Sequence, residues 1–113
     1  MKSKILALSS NNDFKNLLQM KKISNKYVTI FFGFLGNKSN NRLNISFVTK
    51  KKIGNAVKRN KIKRRLRNIT NEAVKKIKIN FDYSFLVIAK SSMLNNEYKI
   101  IKETLFQDFE KIK

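Results

Sequence analysis

The most constraining feature of this chain is a long central stretch of positive charge without any compensating acid. Between Asp13 and Glu72 there are sixteen Lys or Arg residues and no Asp or Glu. The densest part runs from Lys50 to Arg67 and reads KKKIGNAVKRNKIKRRLR. Like charges this close together repel one another and destabilise a compact state. A fold that contains this stretch therefore needs a polyanionic partner, and a phosphate backbone is the natural one.

The composition indicates the size and class of the protein. The chain has 113 residues, a formal net charge of +19 and 42% hydrophobic residues, among them nine Phe and three Tyr. These values predict one domain over residues 1–113 with a modest core, and not a disordered basic tail, and the excess of positive charge implies nucleic acid or an anionic membrane surface as the partner. No apolar run approaches the ~18 residues of a membrane span, and the first apolar stretch is too short for a signal peptide. We therefore expect a cytoplasmic protein without a membrane partner.

The absence of His and Cys limits the chemistry that the protein can perform. The commonest general base and the best thiol nucleophile are both missing, and zinc sites are effectively excluded. The seven carboxylates are scattered along the chain, and their spacing supports no hydrolytic site. We therefore expect no catalytic residue, no metal site and no cofactor bound by the protein alone.

Hydrophobic periodicity predicts the order helix, strand, strand, helix, strand, helix. The first helix is expected to be capped by Ser10 and to end near Lys21 or Lys22. Residues 27–35 and 42–49 have strand composition and are expected to form an antiparallel hairpin across a turn at 36–41. Residues 82–90 are expected to form a third strand, and the continuous apolar run from Phe85 to Ala89 within it favours burial on both faces. A last helix is expected to be capped by Asn95 or Asn96, with an apolar face made of Tyr98, Ile101, Leu105, Phe109 and Ile112.

The central helix combines an apolar stripe with a basic surface. The stripe recurs at spacings of three and four, at Ile62, Leu66, Ile69, Ala73 and Ile77. Beside it lies a basic ridge made of Arg59, Lys63 and Arg67, and further basic residues occupy the rest of the polar surface. A solvated face is the ordinary interpretation of a charged helix, but such faces normally mix signs and gain stability from i, i+4 ion pairs. This helix has no acid before Glu72, which favours nucleic-acid binding.

The stretch from Gly54 to Arg67 resembles the signature of the bacterial ribonuclease P protein subunit family. That signature has lysines, a Gly/Ala-Val segment, Arg-Asn-Arg, Lys-Arg and a further Arg on one helix. Lys61 stands where the family has the second Arg of Arg-Asn-Arg, so the charge is kept and the planar fork is lost. Two further matches, Asp13-Phe14 and Asp82-Tyr83 before a strand that ends at Ala89-Lys90, extend the resemblance to nearly the whole chain.

The resemblance implies a fold and a function. It implies an α+β protein, a single-domain α/β sandwich whose motif helix lies in a left-handed β-α-β crossover, although about 98% of such connections are right-handed. It also implies a non-catalytic subunit of a ribozyme endoribonuclease. In that enzyme an RNA subunit with bound Mg²⁺ cleaves precursor tRNA to produce the mature 5′ end. The implied partners are the ribonuclease P RNA subunit, bound by the motif helix, and the 5′ leader of precursor tRNA, bound in a cleft between the first helix and the sheet.

Two sets of site residues are expected. The RNA-binding set is Lys50, Lys51, Lys52, Arg59, Asn60, Lys61, Lys63, Arg64, Arg65 and Arg67. The leader-cleft set is Phe14, Leu18, Tyr27, Ile30 and Phe31. The family has three cleft aromatics, of which Phe14 matches the first, while the second falls at Leu18 and the third near Ile30. Tyr27, Phe31 or Phe32 can compensate by stacking on bases, and core packing is the alternative role of Phe14.

Three other classes of protein fit parts of this sequence. A small ribosomal or structural RNA-binding protein has the same size and charge but needs neither a cleft nor a precursor substrate. A membrane-surface protein would need an exposed aromatic face on the basic helix, which is missing. A stand-alone nuclease would cleave precursor tRNA without an RNA subunit.

Overall fold

Three helices and five strands make up the part of the chain that the structure, a computed structural model, describes, namely residues 5–8, 10–36 and 41–112. They are β1 (Ile5–Leu6), α1 (Asn11–Leu18), β2 (Lys21–Ser24), β3 (Val28–Gly33), β4 (Leu43–Val48), α2 (Ala56–Lys76), β5 (Ser84–Ala89) and α3 (Tyr98–Lys111). Short 3-10 turns at Lys51–Ile53 and Ser91–Leu94 lie before α2 and α3. The predicted α+β class is confirmed.

The strand predicted to be buried on both faces lies in the middle of the sheet. The strand order is β1-β4-β5-β3-β2, and β5 pairs parallel with β4 and antiparallel with β3. The predicted hairpin between residues 27–35 and 42–49 is therefore wrong, because β5 separates β3 from β4. The physical reason is the apolar run of β5, which loses the most contact with water when both of its faces are covered.

Two strands carry no pattern that predicts them. Lys21 and Lys22, which were expected at the end of the first helix, begin β2 instead, because α1 ends at Leu18. The turn after β2 is made by Asn25, whose Oδ1 accepts hydrogen bonds from the backbone N–H groups of Tyr27 (2.7 Å) and Val28 (2.9 Å). β1 is only two residues long and pairs parallel with β4 at the opposite edge of the sheet. Of the expected turn at 36–41, residues 37–40 lie outside the described part.

The helices cover the two faces of the sheet unequally. α2 and α3 pack on one face and enclose the larger core, which contains Ile62, Leu66, Phe85 and Leu105. α1 packs on the other face over a smaller core built around Leu17 and Leu86. Among the described residues, the eight-residue α1 is the only helix on that second face.

The predicted apolar faces of α2 and α3 are confirmed, and the predicted cap of α3 is wrong. Ile62, Leu66, Ile69 and Ala73 are buried, and Ile77 is half-buried at the end of α2. On α3 the residues Ile101, Leu105, Phe109 and Ile112 are buried and Tyr98 is half-buried. The N-cap of α3 is Glu97, because the Asn96 side chain donates instead to the Ser92 carbonyl at 2.7 Å. The connection β4-α2-β5 is a parallel crossover, and its left-handedness stays a prediction.

Candidate nucleic-acid interface

Between residues 56 and 67, α2 presents four of its seven basic side chains to solvent. The helix begins at Ala56 because the Oδ1 of Asn55 accepts a hydrogen bond of 3.0 Å from the Lys58 N–H. Its buried stripe fixes the rotation of the helix, since Leu66 and Ile69 have no exposed surface. Of the predicted RNA-binding residues on α2, Asn60, Lys61, Arg64 and Arg67 are exposed, whereas Arg59, Lys63 and Arg65 are half-buried.

The half-buried basic residues are held against the protein by their stems. The Nη1 of Arg65 donates to the Met93 carbonyl at 3.4 Å, so part of its guanidinium is used by the fold. The Nε of Arg59 is buried and has no hydrogen-bond partner. Long basic side chains commonly lay their apolar stems on the protein and keep the charged end in water. Arg59 and Arg65 are therefore more restricted in direction than the exposed Arg64 and Arg67.

The lysines before α2 extend this basic region to the end of the sheet. Lys50, Lys51 and Lys52 are all exposed, while Ile53 of the same 3-10 turn packs against the larger core. Gly54 follows with φ +155°, a backbone conformation that other residues rarely adopt. The first turn of α2 contains no acidic residue, so the positive end of its dipole adds to the lysines. We call Lys50–Lys52 together with the predicted basic residues of α2 the basic surface.

The opposite face of the sheet carries a second group of predicted residues. Phe14 on α1 and Phe31 on β3 are both half-buried and both pack against the smaller core, while Leu18 is 48% exposed. The Nζ of Lys22 lies 5.9 Å from the centroid of the Phe31 ring. Phe14 thus contributes to the core and retains an exposed part. We call Phe14, Leu18 and Phe31 the α1-side surface.

The structure does not bring Tyr27 and Ile30 to the α1-side surface, so their placement in the cleft is wrong. Tyr27 is 4% exposed and Ile30 is fully buried, both in the larger core under α2 and α3. For Ile30 the reason is strand alternation, because Ile30 and Phe31 project from opposite faces of β3. Tyr27 lies before β3, in the turn made by Asn25, and packs into the larger core from there. The aromatic residue that β3 supplies to the α1 side is Phe31.

Sequence reasoning missed a basic hollow that joins the two surfaces. This hollow has a volume of about 510 Å³ and is lined in part by Thr29, Lys50, Lys52, Ile88 and Lys90. Thr29 and Ile88 are cross-strand partners, and Thr29 lies two residues before Phe31 on the same face of β3. The period of two in β3 would have pointed to Thr29, but only the sheet order places Lys90 beside Lys50 and Lys52.

Lys90 has a defined position in this hollow. Its Nζ donates to Ser24 Oγ at 2.9 Å and to the Asn25 carbonyl at 2.6 Å. Both acceptors are neutral, so these hydrogen bonds do not neutralise the positive charge of Lys90. Lys58, which was also missed, adds a further exposed charge to the first turns of α2.

In the sequence, the acidic residues lie outside the segment that forms the basic surface. Asp13 is buried on α1, and the other acids begin at Glu72, late in α2. Within residues 5–8, 10–36 and 41–112, no three acidic side chains lie close enough together to hold a metal ion. In the same part of the chain, no helix is both long and apolar enough to cross a membrane.

These features define a small α+β protein in which a cationic helix crosses between parallel strands of a mixed sheet. Residues 3–113 match the family model described as Ribonuclease P. The chain therefore belongs to the family of bacterial ribonuclease P protein subunits, the protein components of a ribonucleoprotein that processes tRNA.

Curated relatives and solved structures agree with this assignment. The "Ribonuclease P protein component" of Carboxydothermus hydrogenoformans is 32% identical over 102 residues, which cover 87% of this chain and 83% of the relative. The protein of the same name from Mesoplasma florum is 31% identical over 98 residues, covering 87% and 86%. The ribonuclease P protein from Thermotoga maritima has a similar fold, with a TM-score of 0.80, 23% identity and coverage of 96% of this chain and 98% of that one.

Proposed function

We propose that this protein binds the RNA subunit of ribonuclease P through its basic surface and the 5′ leader of precursor tRNA through its α1-side surface. The observation that carries the proposal is the continuity of the two surfaces. Lys50 and Lys52 belong to the basic surface and also line the hollow that contains Thr29 and Ile88 on the α1 side. A folded RNA on α2 and a single strand on the sheet would then occupy adjoining parts of one protein.

The basic surface suits a folded RNA. Its residues come from one helix and the turn before it, and their exposed ends have no acidic neighbour in the first turn of α2. Arg64 and Arg67 can grip phosphates with both arms of the guanidinium, while Lys61 and the lysines at 50–52 act as point charges. Such contacts release counterions, so we expect binding that weakens steeply as salt is raised.

The α1-side surface suits an unpaired strand. Phe14 and Phe31 supply ring faces on which bases can stack, and Lys22 over Phe31 and Lys90 near Thr29 supply charges for the backbone. Stacking tolerates any base, so this surface would accept leaders of many sequences. Contacts of this kind position the precursor without reading its sequence.

The hydrolysis itself is assigned to the RNA subunit. When bound to that RNA, Mg²⁺ would supply an activated water and stabilise the leaving oxygen. The described side chains of this protein do not fit a metal site, because its carboxylates do not cluster. The role of the chain is therefore to bind and to orient, and we expect it to do so in the cytoplasm.

Reconstitution with a bacterial ribonuclease P RNA tests this proposal. The full chain is expected to raise 5′ cleavage of precursor tRNA above the level of the RNA alone, and the protein alone is expected to cleave nothing. Lys99→Ala, which removes an exposed lysine of α3, serves as the control for loss of one charge, and Arg64→Ala serves as the test variant. A chain that binds the RNA subunit without any effect on processing would favour a purely structural RNA-binding protein instead.

A further inference from the structure

An aromatic hollow at the far end of β3 is not used by the basic surface or the α1-side surface. It has a volume of about 290 Å³ and is lined by Met20, Lys21, Phe32, Gly33, Phe34 and Tyr83. This volume is just below the range for small-ligand sites, ~300–1,000 Å³, and admits one flat ring system. The hollow is therefore the right size for a single nucleobase.

The rings around this hollow are partly fixed and partly free. Phe32 is held in place, since its centroid lies 5.8 Å from that of Tyr83 and 6.5 Å from that of buried Phe85. Phe34, in contrast, is 65% exposed, although it is one of the largest apolar side chains of the protein. A Phe this exposed contributes little to the core. It is available for a partner that stacks on its ring.

The surroundings of Phe34 favour an anionic partner. Lys21 lines the same hollow and pairs in register with Phe32, so its side chain projects from the same face of the sheet. No acidic side chain lines the hollow. An aromatic ring beside an exposed lysine is the combination that single-strand-binding proteins use, in which the ring stacks on a base and the cation contacts the backbone.

The hollow adjoins the α1-side surface through Met20. This side chain belongs to the smaller core with Phe14 and Phe31, and it also lines the aromatic hollow. Its Sδ lies 2.0 Å from the place that a Cβ on Gly33 would occupy, so the absence of a side chain at Gly33 lets Met20 cross the strand there. By strand alternation Phe32 and Lys21 lie on the face of the sheet opposite to Phe31, so a strand of RNA that passes Phe31 would reach Phe34 by turning over Met20 around the end of β3.

We propose that this aromatic hollow holds the base of one unpaired nucleotide of the precursor leader, beyond the nucleotides on the α1-side surface. The proposal rests on the proposed function, because it requires a leader on that surface. Thr29 lies beside Lys50 and Lys52, whereas Gly33 lines the hollow, and four residues of strand span ~13 Å. This is the shortest path, so at ~3.4 Å per stacked nucleotide the hollow lies at least about four nucleotides further from the basic surface.

The test is the affinity of the holoenzyme, reconstituted with a bacterial ribonuclease P RNA, for precursor tRNAs whose leaders are lengthened one nucleotide at a time. Phe34→Ala is expected to weaken binding about 5- to 150-fold, but only once the leader is long enough to reach the hollow, the equivalent of ~1–3 kcal/mol for a stacked base. Phe31→Ala is expected to show its loss from shorter leaders onward. Phe34→Tyr, which keeps the ring, is expected to bind like the unaltered protein.

Ile100→Ala provides the matched control, because Ile100 is a 46% exposed apolar residue on α3 that does not line the hollow. An abasic nucleotide at the position where the Phe34 effect begins should cause the same loss and add nothing to the Phe34→Ala variant. A Phe34→Ala variant that binds normally at every leader length would overturn the proposal. An equal loss for mature tRNA or for the RNA subunit alone would also overturn it, since the base would then come from another source.

The same series separates this proposal from the function on which it rests. If the unaltered protein shows no dependence on leader length and Phe31→Ala has no effect, the leader is not bound on the α1 side at all. If Phe31→Ala weakens binding and Phe34→Ala does not, the leader is bound and only the distal base site is wrong. Thermal unfolding of each variant checks that it is folded. Because Phe34 is exposed, Phe34→Ala is expected to unfold at the same temperature as the unaltered protein.

Discussion

The side chains of Asn25 and Asp108, 83 residues apart in sequence, are joined by a hydrogen bond of 2.6 Å from Nδ2 to Oδ2. The other end of the Asn25 amide accepts from two backbone N–H groups in the turn between β2 and β3. Asp108 is 6% exposed, and Lys111 is its ion-pair partner at 3.9 Å. The side-chain amide of Asn25 thus stabilises the turn between β2 and β3 and also joins that turn to α3 by a hydrogen bond.

Asp108→Ala is therefore expected to destabilise the protein by ~1.5–3 kcal/mol, the usual range for a hydrogen bond to a charged group. Urea unfolding midpoints measure the change. Glu110→Ala, which removes an exposed acid two residues away, serves as the control and should stay within about 0.5 kcal/mol. Equal midpoints for the two variants would show that the Asn25 contact contributes nothing.

Truncation of the buried stripe of α2 should be costly. Leu66→Ala and Ile69→Ala each remove a side chain without exposed surface and are expected to cost ~2–5 kcal/mol. Val57→Ala on the same helix is the control, because Val57 is 77% exposed. Denaturant midpoints close to that of the unaltered chain would mean that α2 is rotated away from the described orientation.

Loss of the basic ridge should weaken RNA binding and leave the fold intact. Arg59→Ala, Lys63→Ala and Arg67→Ala are each expected to reduce affinity for the RNA subunit and to lower the salt slope by about 0.7–0.9 per lost phosphate contact. Arg67 is exposed, so its variant should fold normally, and Lys99→Ala on α3 is the control for charge. Three variants with the slope and affinity of the unaltered protein would contradict the assignment of the ridge.

The α1-side surface should distinguish precursor from mature tRNA. Phe14→Ala is expected to weaken precursor binding by up to about a hundredfold and to leave mature tRNA binding unchanged, because stacking is worth ~1–3 kcal/mol per base. Photocrosslinking from position 14 should reach the leader. Crosslinks to the RNA subunit alone would place Phe14 outside the leader path.

Phe14 is half-buried, so a stability control is needed for that variant. Phe106→Ala on α3 removes a ring of similar burial from the opposite side of the sheet. It is expected to lower the unfolding midpoint without any preference between precursor and mature tRNA. A Phe14→Ala variant that behaves in the same way would have a folding role only.

The sequence predicts the local features of this protein better than the non-local ones. The stripe on α2 follows from apolar periodicity, the burial of β5 follows from its continuous apolar run, and the cap at Ser10 follows from side-chain chemistry close by. The sheet order does not follow, because the pairing of β5 with both β3 and β4 depends on contacts across tens of residues. The sequence of β2, KKIS, has no alternation of apolar and polar residues that would predict a strand.

In the candidate site, too, the local features could be predicted from the sequence and the non-local ones could not. The basic surface could be found because charge density is visible in the linear sequence. Ile30 and Phe31 were both predicted for the cleft, but adjacent residues of a strand project to opposite faces, so only one of the two can lie there. The hollow around Lys90 needs three separate segments to meet, which only the assembled sheet shows.

The central position of β5 sets the order in which the chain can fold during synthesis. Neither β3 nor β4 has its main partner until Ser84–Ala89 has left the ribosome, and the larger core stays open until α3 follows. Domains of this kind fold as units once their segments are available, and pairing between distant strands is slow. The acid-free stretch between Asp13 and Glu72 is therefore synthesised before the central strand of the sheet. Until β5 is available, this stretch is a polycation without its folded sheet. We therefore expect nascent chains that end before Ser84 to be retained on polyanions at low salt, and complete, folded chains to be retained less strongly.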